Sequence, residues 1–326
     1  MAETPQWMAL ALGHRFDNLD PEREVLEPQG VRVVNGRDVP WAEVLERWGD
    51  EADAIMVGAA FPINRRFIDR FARCRVIVRY GIGLDNVDLE AARARGIQVD
   101  NVTDYCVEEV ANHAWAFILS LHRQLWALDQ RARGGVWTFA GLHIPRLSSC
   151  RLGVVGFGAI GRAVVARARA FELKVSVFDP YADRAAIEAS GADARDLDAL
   201  CQESDILTLH APLTPETHHL LDARRLKMLP PHAIVVNVAR GPLIDERALA
   251  EALREGAVGM AGLDVFEEEP LPADSPLREL PNVVISPHSA WYSQGAQREL
   301  QRKAAEKVLR GLMGPTGSRQ GGGGRP

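Results

Sequence analysis

Short apolar runs recur along the chain, each followed by a turn and then by residues with helical spacing. In the first third the runs are Met8–Leu12, Val31–Val34, Ala54–Val57, Val76–Val78 and Ile97–Val99. In the middle they are Leu152–Val155, Val175–Phe178, Ile206–Leu209, Ile234–Val236, Met260–Val265 and Val283–Ile285. Without strict alternation of apolar and polar positions, such runs suit strands covered by helices on both faces. Strands alternating with helices predict βαβ units and mostly parallel sheets, and two such blocks predict two α/β domains. Between the blocks, Val107–Arg133 carries Val110, Ala114, Phe117, Ile118 and Leu121 at helical spacing, which predicts one long amphipathic linking helix. A last helix is predicted over Gln294–Leu312, with Ser293 as its N-cap. Residues 313–326, with four consecutive glycines, predict a disordered tail.

A length of 326 residues suits two domains, and 47% hydrophobic residues can fill two cores, which excludes disorder for most of the chain. The net charge of −6 argues against nucleic acid or an anionic membrane as partner, since both call for a basic surface. Cys74, Cys106, Cys150 and Cys201 lie far apart with no C-x-x-C pair, so neither a metal site nor a disulfide framework is expected. Free thiols fit a reducing, cytoplasmic setting. No basic region precedes an apolar run near Met1, so no signal peptide is expected. The longest apolar stretch, Ala111–Leu128, contains His113, His122, Arg123 and Gln124, too much polarity for a membrane span.

Gly156-Phe157-Gly158-Ala159-Ile160-Gly161 matches G-x-G-x-x-G. Such hexamers arise by chance, so the context decides. The strand Leu152–Val155 precedes this one and a helical pattern follows. A second strand then ends in Asp179, 18 residues beyond Gly161. In a dinucleotide fold the first glycine permits the turn, the second lets backbone approach a pyrophosphate, and the third lets helix and strand pack closely. The phosphates meet unpaired N–H groups at the helix N-terminus. Asp179 accepts hydrogen bonds from a ribose and repels a 2′-phosphate, which favours NAD over NADP. The plainer alternative is an ordinary βα turn with a surface aspartate.

Arg240, Glu269 and His288 each follow a predicted strand. Ligand crevices in open parallel sheets lie beyond the carboxyl ends of strands, so the three can converge despite their separation. Hydride transfer to a 2-oxo acid calls for these types: a planar cation to hold the carboxylate, an imidazole to protonate the developing alkoxide, and a carboxylate to orient that imidazole. Each also has an ordinary reading, as a surface arginine, a solvated acidic turn and a satisfied loop histidine.

From about Val76 to Leu312 the sequence resembles the D-isomer-specific 2-hydroxyacid dehydrogenases. The resemblance rests on Arg79–Asp88, the fingerprint through Asp179-Pro180, His210–Thr217, Met228–Gly241, Gly262–Phe266 and Ser286-Pro287-His288. It implies two doubly wound parallel-sheet domains, one Rossmann-like and one flavodoxin-like. The NAD-binding domain, 103–291, would be inserted into a discontinuous substrate domain, 1–102 with 292–312. It implies an NAD(H)-dependent oxidoreductase interconverting a small 2-oxo acid and its D-2-hydroxy acid. Arg240 would anchor substrate, Glu269 would pair with His288, and His288 would be the proton donor. Besides Gly156–Gly161, Asp179 and Pro180, the implied cofactor contacts are His210, Ala211, Pro212 and Thr217 on the adenine and ribose side. Val238, Ala239, Arg240, Asp264, His288 and Ser289 would lie near the nicotinamide, with Asp264 holding its carboxamide. Gly81, Ile82 and Gly83 would receive the substrate carboxylate through their amides, a nest that glycine permits. A homodimer through the NAD domain is implied, with the Val107–Arg133 helix contributing.

Val78–Gly81 and His288–Ser293 look more like the C-terminal-binding protein branch, whose animal members are NAD(H)-binding transcriptional corepressors. That branch implies Arg79 and Trp291 beside the substrate, and an aromatic wall favouring an apolar or thioether side chain such as that of 4-methylthio-2-oxobutyrate; Tyr80, with Ile82, takes the place of a smaller residue in the substrate loop. Packing alone is the alternative for Trp291, and an ion pair for Arg79. Val238 departs from a position where the family often has threonine. His218 and His219 adjoin without further ligands and read as structural or surface residues. Two other functions stay open: a dimeric NAD(H)-sensing scaffold with little turnover, and a phosphoglycerate dehydrogenase.

Overall fold

The computed structural model describes residues 6–59 and 61–314. The chain divides into two compact units, one running to Tyr105 and resuming at Ser293, the other spanning Cys106–Tyr292. Both crossings fall slightly later than the sequence boundaries of 102 and 291.

The first unit holds β1 (Trp7–Leu12), α1 (Asp20–Leu26), β2 (Val31–Asn35), α2 (Trp41–Trp48), β3 (Ala54–Val57), α3 (Arg65–Ile68), β4 (Val76–Arg79), α4 (Leu89–Ala94) and β5 (Gln98–Asn101). Its five strands are all parallel, in the order β2-β1-β3-β4-β5. That is the flavodoxin-like order. Every residue of β3 and β4 is buried, as continuous apolar runs flanked by helices require. Phe67, Phe71, Leu10 and Ile77 lie in its core.

The second unit opens with α5 (Val107–His122) and α6 (Leu125–Arg133), followed by β6 (Arg151–Val155), α7 (Ala159–Ala170), β7 (Lys174–Phe178), α8 (Arg184–Ala189), β8 (Asp193–Ala194) and α9 (Leu197–Glu203). It continues with β9 (Ile206–Leu209), α10 (Ala223–Leu226), β10 (Ile234–Asn237), α11 (Glu246–Glu255), β11 (Met260–Leu263) and β12 (Val283–Ile285). All pairings are parallel, in the order β12-β11-β10-β9-β6-β7-β8. Read from β8, the first six strands follow the dinucleotide-fold order, so the strand order reverses at β6, beside β9. Aspartates start several of the helices: Asp196, Asp222 and Asp245 each accept a backbone N–H of the first turn, and Ser293 does so for α12 (Gln294–Met313).

The single helix expected over Val107–Arg133 is two helices. Gln124 adopts φ +50 and turns the chain there. The inward stripe of α5 ends at Leu121 and His122, whereas α6 buries nothing. The two-residue strand β8 escaped the sequence reading, being too short to show a pattern. Met313, expected in the tail, still belongs to α12. The rest of the tail from 315 lies outside the described residues.

Candidate active site

The glycine-rich turn joins β6 to α7. Gly156 has φ +93, and a Cβ there would lie 2.8 Å from the His210 backbone. A Cβ at Gly161 would lie 2.1 Å from the Gly156 oxygen, whereas one at Gly158 would meet nothing within 4 Å. Two glycines are therefore required by the chain's own packing and the middle one faces open space, as a pyrophosphate seat requires. Gly158 is the N-cap of α7 and offers no side-chain cap, so the first-turn N–H groups remain for an anion. Asp179 is fixed by the amides of Phe157 at 2.7 Å, Tyr181 at 2.9 Å and Ala182 at 3.2 Å. Ala159 and Ile160 begin the helix, and Pro180 follows the aspartate. The residues present fit a dinucleotide.

The loop from His210 to Thr217 closes on itself: Thr217 Oγ1 donates to the Pro212 carbonyl at 2.7 Å and accepts from Thr214 N–H at 2.7 Å. His210 sets Nε2 3.0 Å from Thr208 Oγ1, while Nδ1 is buried without a hydrogen-bond partner. Burial pushes its pKa down to about 3. His219, beyond this loop, meets Glu267 at 2.8 Å, a structural pair.

At the ends of β10, β11 and β12 the structure brings His288 and Glu269 together. His288 Nδ1 lies 2.6 Å from Glu269 Oε2, and Glu269 Oε1 accepts the Phe266 N–H at 3.1 Å. Burial raises the Glu269 pKa, but the His288 hydrogen bond and charge, the Phe266 amide and the Arg240 charge outweigh it and hold it below the ordinary carboxylate range. An ionised carboxylate only accepts, so His288 carries its proton on Nδ1 and leaves Nε2 for other work. Both side chains are about one-third exposed. Arg240 donates to the Ala239 carbonyl at 2.7 Å, and Val238 beside it is buried.

Two residues that position this turn were missed in the sequence. Buried Asn237 donates to the Arg240 carbonyl at 2.8 Å and accepts the Ala239 N–H at 3.1 Å. A Cβ on Gly241 would lie 1.9 Å from the Phe266 carbonyl carbon, so only glycine seats the Arg240 turn against the loop that carries Glu269. A polar residue closing an apolar strand was the available signal for Asn237; Gly241 had none beyond its place after Arg240.

Asp264, expected at the carboxamide, is buried and accepts the Ser289 and Ala290 amides, each at 2.8 Å. Trp291 donates its indole N–H to the His288 carbonyl at 3.1 Å.

In the first unit, Arg79 at the end of β4 is buried and donates to the Tyr80 carbonyl at 2.8 Å. Gly81 has φ +129, and a Cβ there would lie 1.7 Å from the Arg79 guanidinium. Ile82 offers its carbonyl to Asn101 at 2.5 Å, with Gly83 half-buried beside it. Tyr80 departs from expectation. Its ring is buried and its hydroxyl donates to Glu22 at 2.8 Å, so the side chain serves the core of its unit.

A parallel dinucleotide fold with a paired histidine and glutamate beyond its strands defines an oxidoreductase-like site. Residues 115–290 match the family model described as D-isomer specific 2-hydroxyacid dehydrogenase, NAD binding domain. The chain is 39% identical to D-3-phosphoglycerate dehydrogenase of Methanocaldococcus jannaschii over 293 residues, 89% of this chain and 55% of that protein. It is 35% identical to glyoxylate reductase of Korarchaeum cryptofilum over 274 residues, 83% of this chain and 81% of that protein. Among solved structures it is similar to D-lactate dehydrogenase from Aquifex aeolicus complexed with NAD and lactic acid, at TM-score 0.84 and 27% identity, covering 94% of this chain and 95% of that one. The chain belongs to the D-isomer-specific 2-hydroxyacid dehydrogenase family and contains its NAD-binding domain. It spans about half the length of the phosphoglycerate dehydrogenases it matches.

Among the described residues no helix is long and apolar enough to cross a membrane.

Proposed function

We propose that the protein reduces a small 2-oxo acid to the D-2-hydroxy acid with NADH, and runs the reverse reaction with NAD. The observation that carries this reading is the 2.6 Å His288–Glu269 pair, at the strand ends of a dinucleotide fold. When bound, NADH supplies the hydride. The chain supplies the rest. Arg240 grips the substrate with its planar guanidinium and polarises the carbonyl. His288 holds the proton on Nε2 and passes it to the carbonyl oxygen as the carbon becomes tetrahedral. Glu269 fixes the ring through Nδ1 and stabilises its charged form. On this reading Trp291 supports His288 through its hydrogen bond to the His288 carbonyl, and the resemblance gives the amides of Gly81, Ile82 and Gly83 in the first unit as carboxylate donors, with Arg79 shaping that loop. Asp179, the glycine-rich turn and the loop from His210 to Thr217 hold the adenosine half. Asp264 and Ser289 serve the nicotinamide half. The reading places the protein in the cytoplasm, where its four free, buried cysteines would stay reduced.

A phosphoglycerate oxidation has support in the phosphoglycerate dehydrogenase relatives. One assay separates the readings: NADH oxidation with glyoxylate, pyruvate and 4-methylthio-2-oxobutyrate, and NAD reduction with 3-phosphoglycerate. His288→Ala and Arg240→Ala are each expected to lower turnover by about 10²–10⁴, with NADH affinity nearly unchanged. Wild-type turnover in the His288 variant would refute the assignment. Tight NADH binding with no turnover on any acid would favour a cofactor-sensing scaffold.

A further inference from the structure

His113, Ser286 and Asp264 form a hydrogen-bonded chain beneath the segment that carries His288. His113 sits on α5 with Nε2 2.9 Å from Ser286 Oγ. Ser286 in turn donates to Asp264 Oδ1, so its oxygen accepts from a protonated Nε2. Asp264 anchors the segment several times over. Its carboxylate takes the N–H groups of Ser289 and Ala290, and its carbonyl takes that of His288 at 2.8 Å. His288 needs such anchoring. Its φ is +53, a left-handed conformation that a residue with a Cβ holds only where surrounding contacts over-determine it. α5 is seated firmly enough to act as the base of this chain. His113 meets Phe117 edge-on at 4.8 Å between ring centroids, and Phe117 packs so closely on β11 that a Cβ at Gly262 would lie 2.8 Å from its ring.

We propose that His113 is a positioning residue for the acid–base step. Through Ser286 it fixes the Asp264 carboxylate, and through that carboxylate the left-handed backbone that aims the His288 imidazole. This rests on the reading of His288 as the proton-transfer residue. His113 touches neither the reacting atoms nor His288 itself in this scheme, so its effect falls first on kcat and reaches NADH affinity only weakly, through Asp264.

The test uses His113→Phe, which keeps a ring against Phe117 and removes the N–H, and His113→Gln, which restores an N–H at the reach of Nε2. His113→Phe is expected to lower kcat about tenfold, because small displacements of a reacting group are costly, with the KM for 2-oxo acid and the NADH affinity within about twofold of wild type. His113→Gln is expected to recover most of the loss. Ser286→Ala, a smaller change that tests the same chain should the Phe variant fold poorly, is expected to match His113→Phe. The double variant is expected to be no slower than either, since groups acting through one chain are not additive. Wild-type kcat in His113→Phe and Ser286→Ala, or losses that multiply in the double variant, would overturn the proposal. His288→Ala is measured alongside. If it keeps its turnover, the reading of His288 fails; if it is inactive while both positioning variants are wild type, only the role of His113 fails.

Discussion

His210 shows how far one side chain's surroundings can depart from what its sequence position says. It stands where the resemblance implies an adenine-side contact, yet Nδ1 is buried without a partner and burial holds its pKa near 3. The folded state therefore favours the neutral ring. A histidine pKa lowered from 6.5 leaves stability whole above that value, and stability falls as pH drops from 6.5 toward 3, because the unfolded chain takes up the proton first. Between pH 6.5 and pH 5 this one residue is expected to cost about 1.6 kcal/mol. Urea titrations of the cofactor-free protein at both pH values check it. His210→Gln should lose that much less on acidification than wild type, and an equal loss in both proteins contradicts the account. The pairing of Glu269 with His288 was legible through the resemblance, since the residue types alone left ordinary readings open for both. Tyr80 was misread because a phenol beside a glycine-rich loop looks the same whether it faces a ligand or, as here, donates to buried Glu22. Asn237, Gly241 and Ser286 were passed over because their value lies in what they touch, Asn237 on the Ala239-Arg240 turn, Gly241 on the Phe266 backbone and Ser286 on Asp264.

Elements were readable where period and punctuation agreed. The apolar runs of β6, β9 and β10 state their type because strands buried on both faces are nearly continuous in apolar residues, broken only by Arg151, Thr208 and Asn237. The break at Gln124 was hidden because Leu125, Trp126 and Leu128 continue the apolar spacing past the point where burial stops. The glycine-rich turn between β6 and α7 divides its roles in a way the motif alone does not show. Gly161→Ala would press a methyl onto the Gly156 oxygen and is expected to lower stability by about 1–3 kcal/mol, the usual cost of overpacking. Gly158→Ala meets no protein atom, so its melting temperature should equal that of wild type. Its methyl would occupy the space left for a pyrophosphate, and NADH affinity is expected to fall about tenfold, or ~1.4 kcal/mol. Thermal melts without cofactor, paired with fluorescence titration by NADH, separate the two. A destabilised Gly158 variant with normal NADH affinity would reverse the assignment.

For the whole molecule, the strand orders explain why two α/β units were foreseeable, since each parallel crossover needs a helix-length connection that the sequence spacing displays. The return of the chain into the first unit was not written in any local pattern. It is made by α12, whose buried Gln301 donates to Glu22 and to the Asn18 carbonyl, both at 2.9 Å, a match visible only in space. One surface of the second unit stays unexplained by a single copy. Trp137 is 91% exposed and Phe139 80%, next to exposed Val136 in the chain. The segment carrying these rings has no helix or strand from Gly134 to Arg146, yet it is pinned to α6 and its approach. Arg131 donates to the Ala140 carbonyl at 3.1 Å and Gln124 to that of His143 at 3.2 Å. A long ordered loop that holds large apolar side chains in water marks an interaction surface. The resemblance implies a second copy of the chain as the partner, and α5, α6 and this loop are the expected NAD-unit interface. Light scattering of the wild type is expected to give twice the chain mass. Trp137→Ser with Phe139→Ser is expected to give the single-chain mass, with an unchanged melting profile for the isolated subunit because neither ring is buried in it. A wild type that stays at single-chain mass across micromolar concentrations would remove the dimer, and an unchanged mass in the double variant would move the interface elsewhere on the unit.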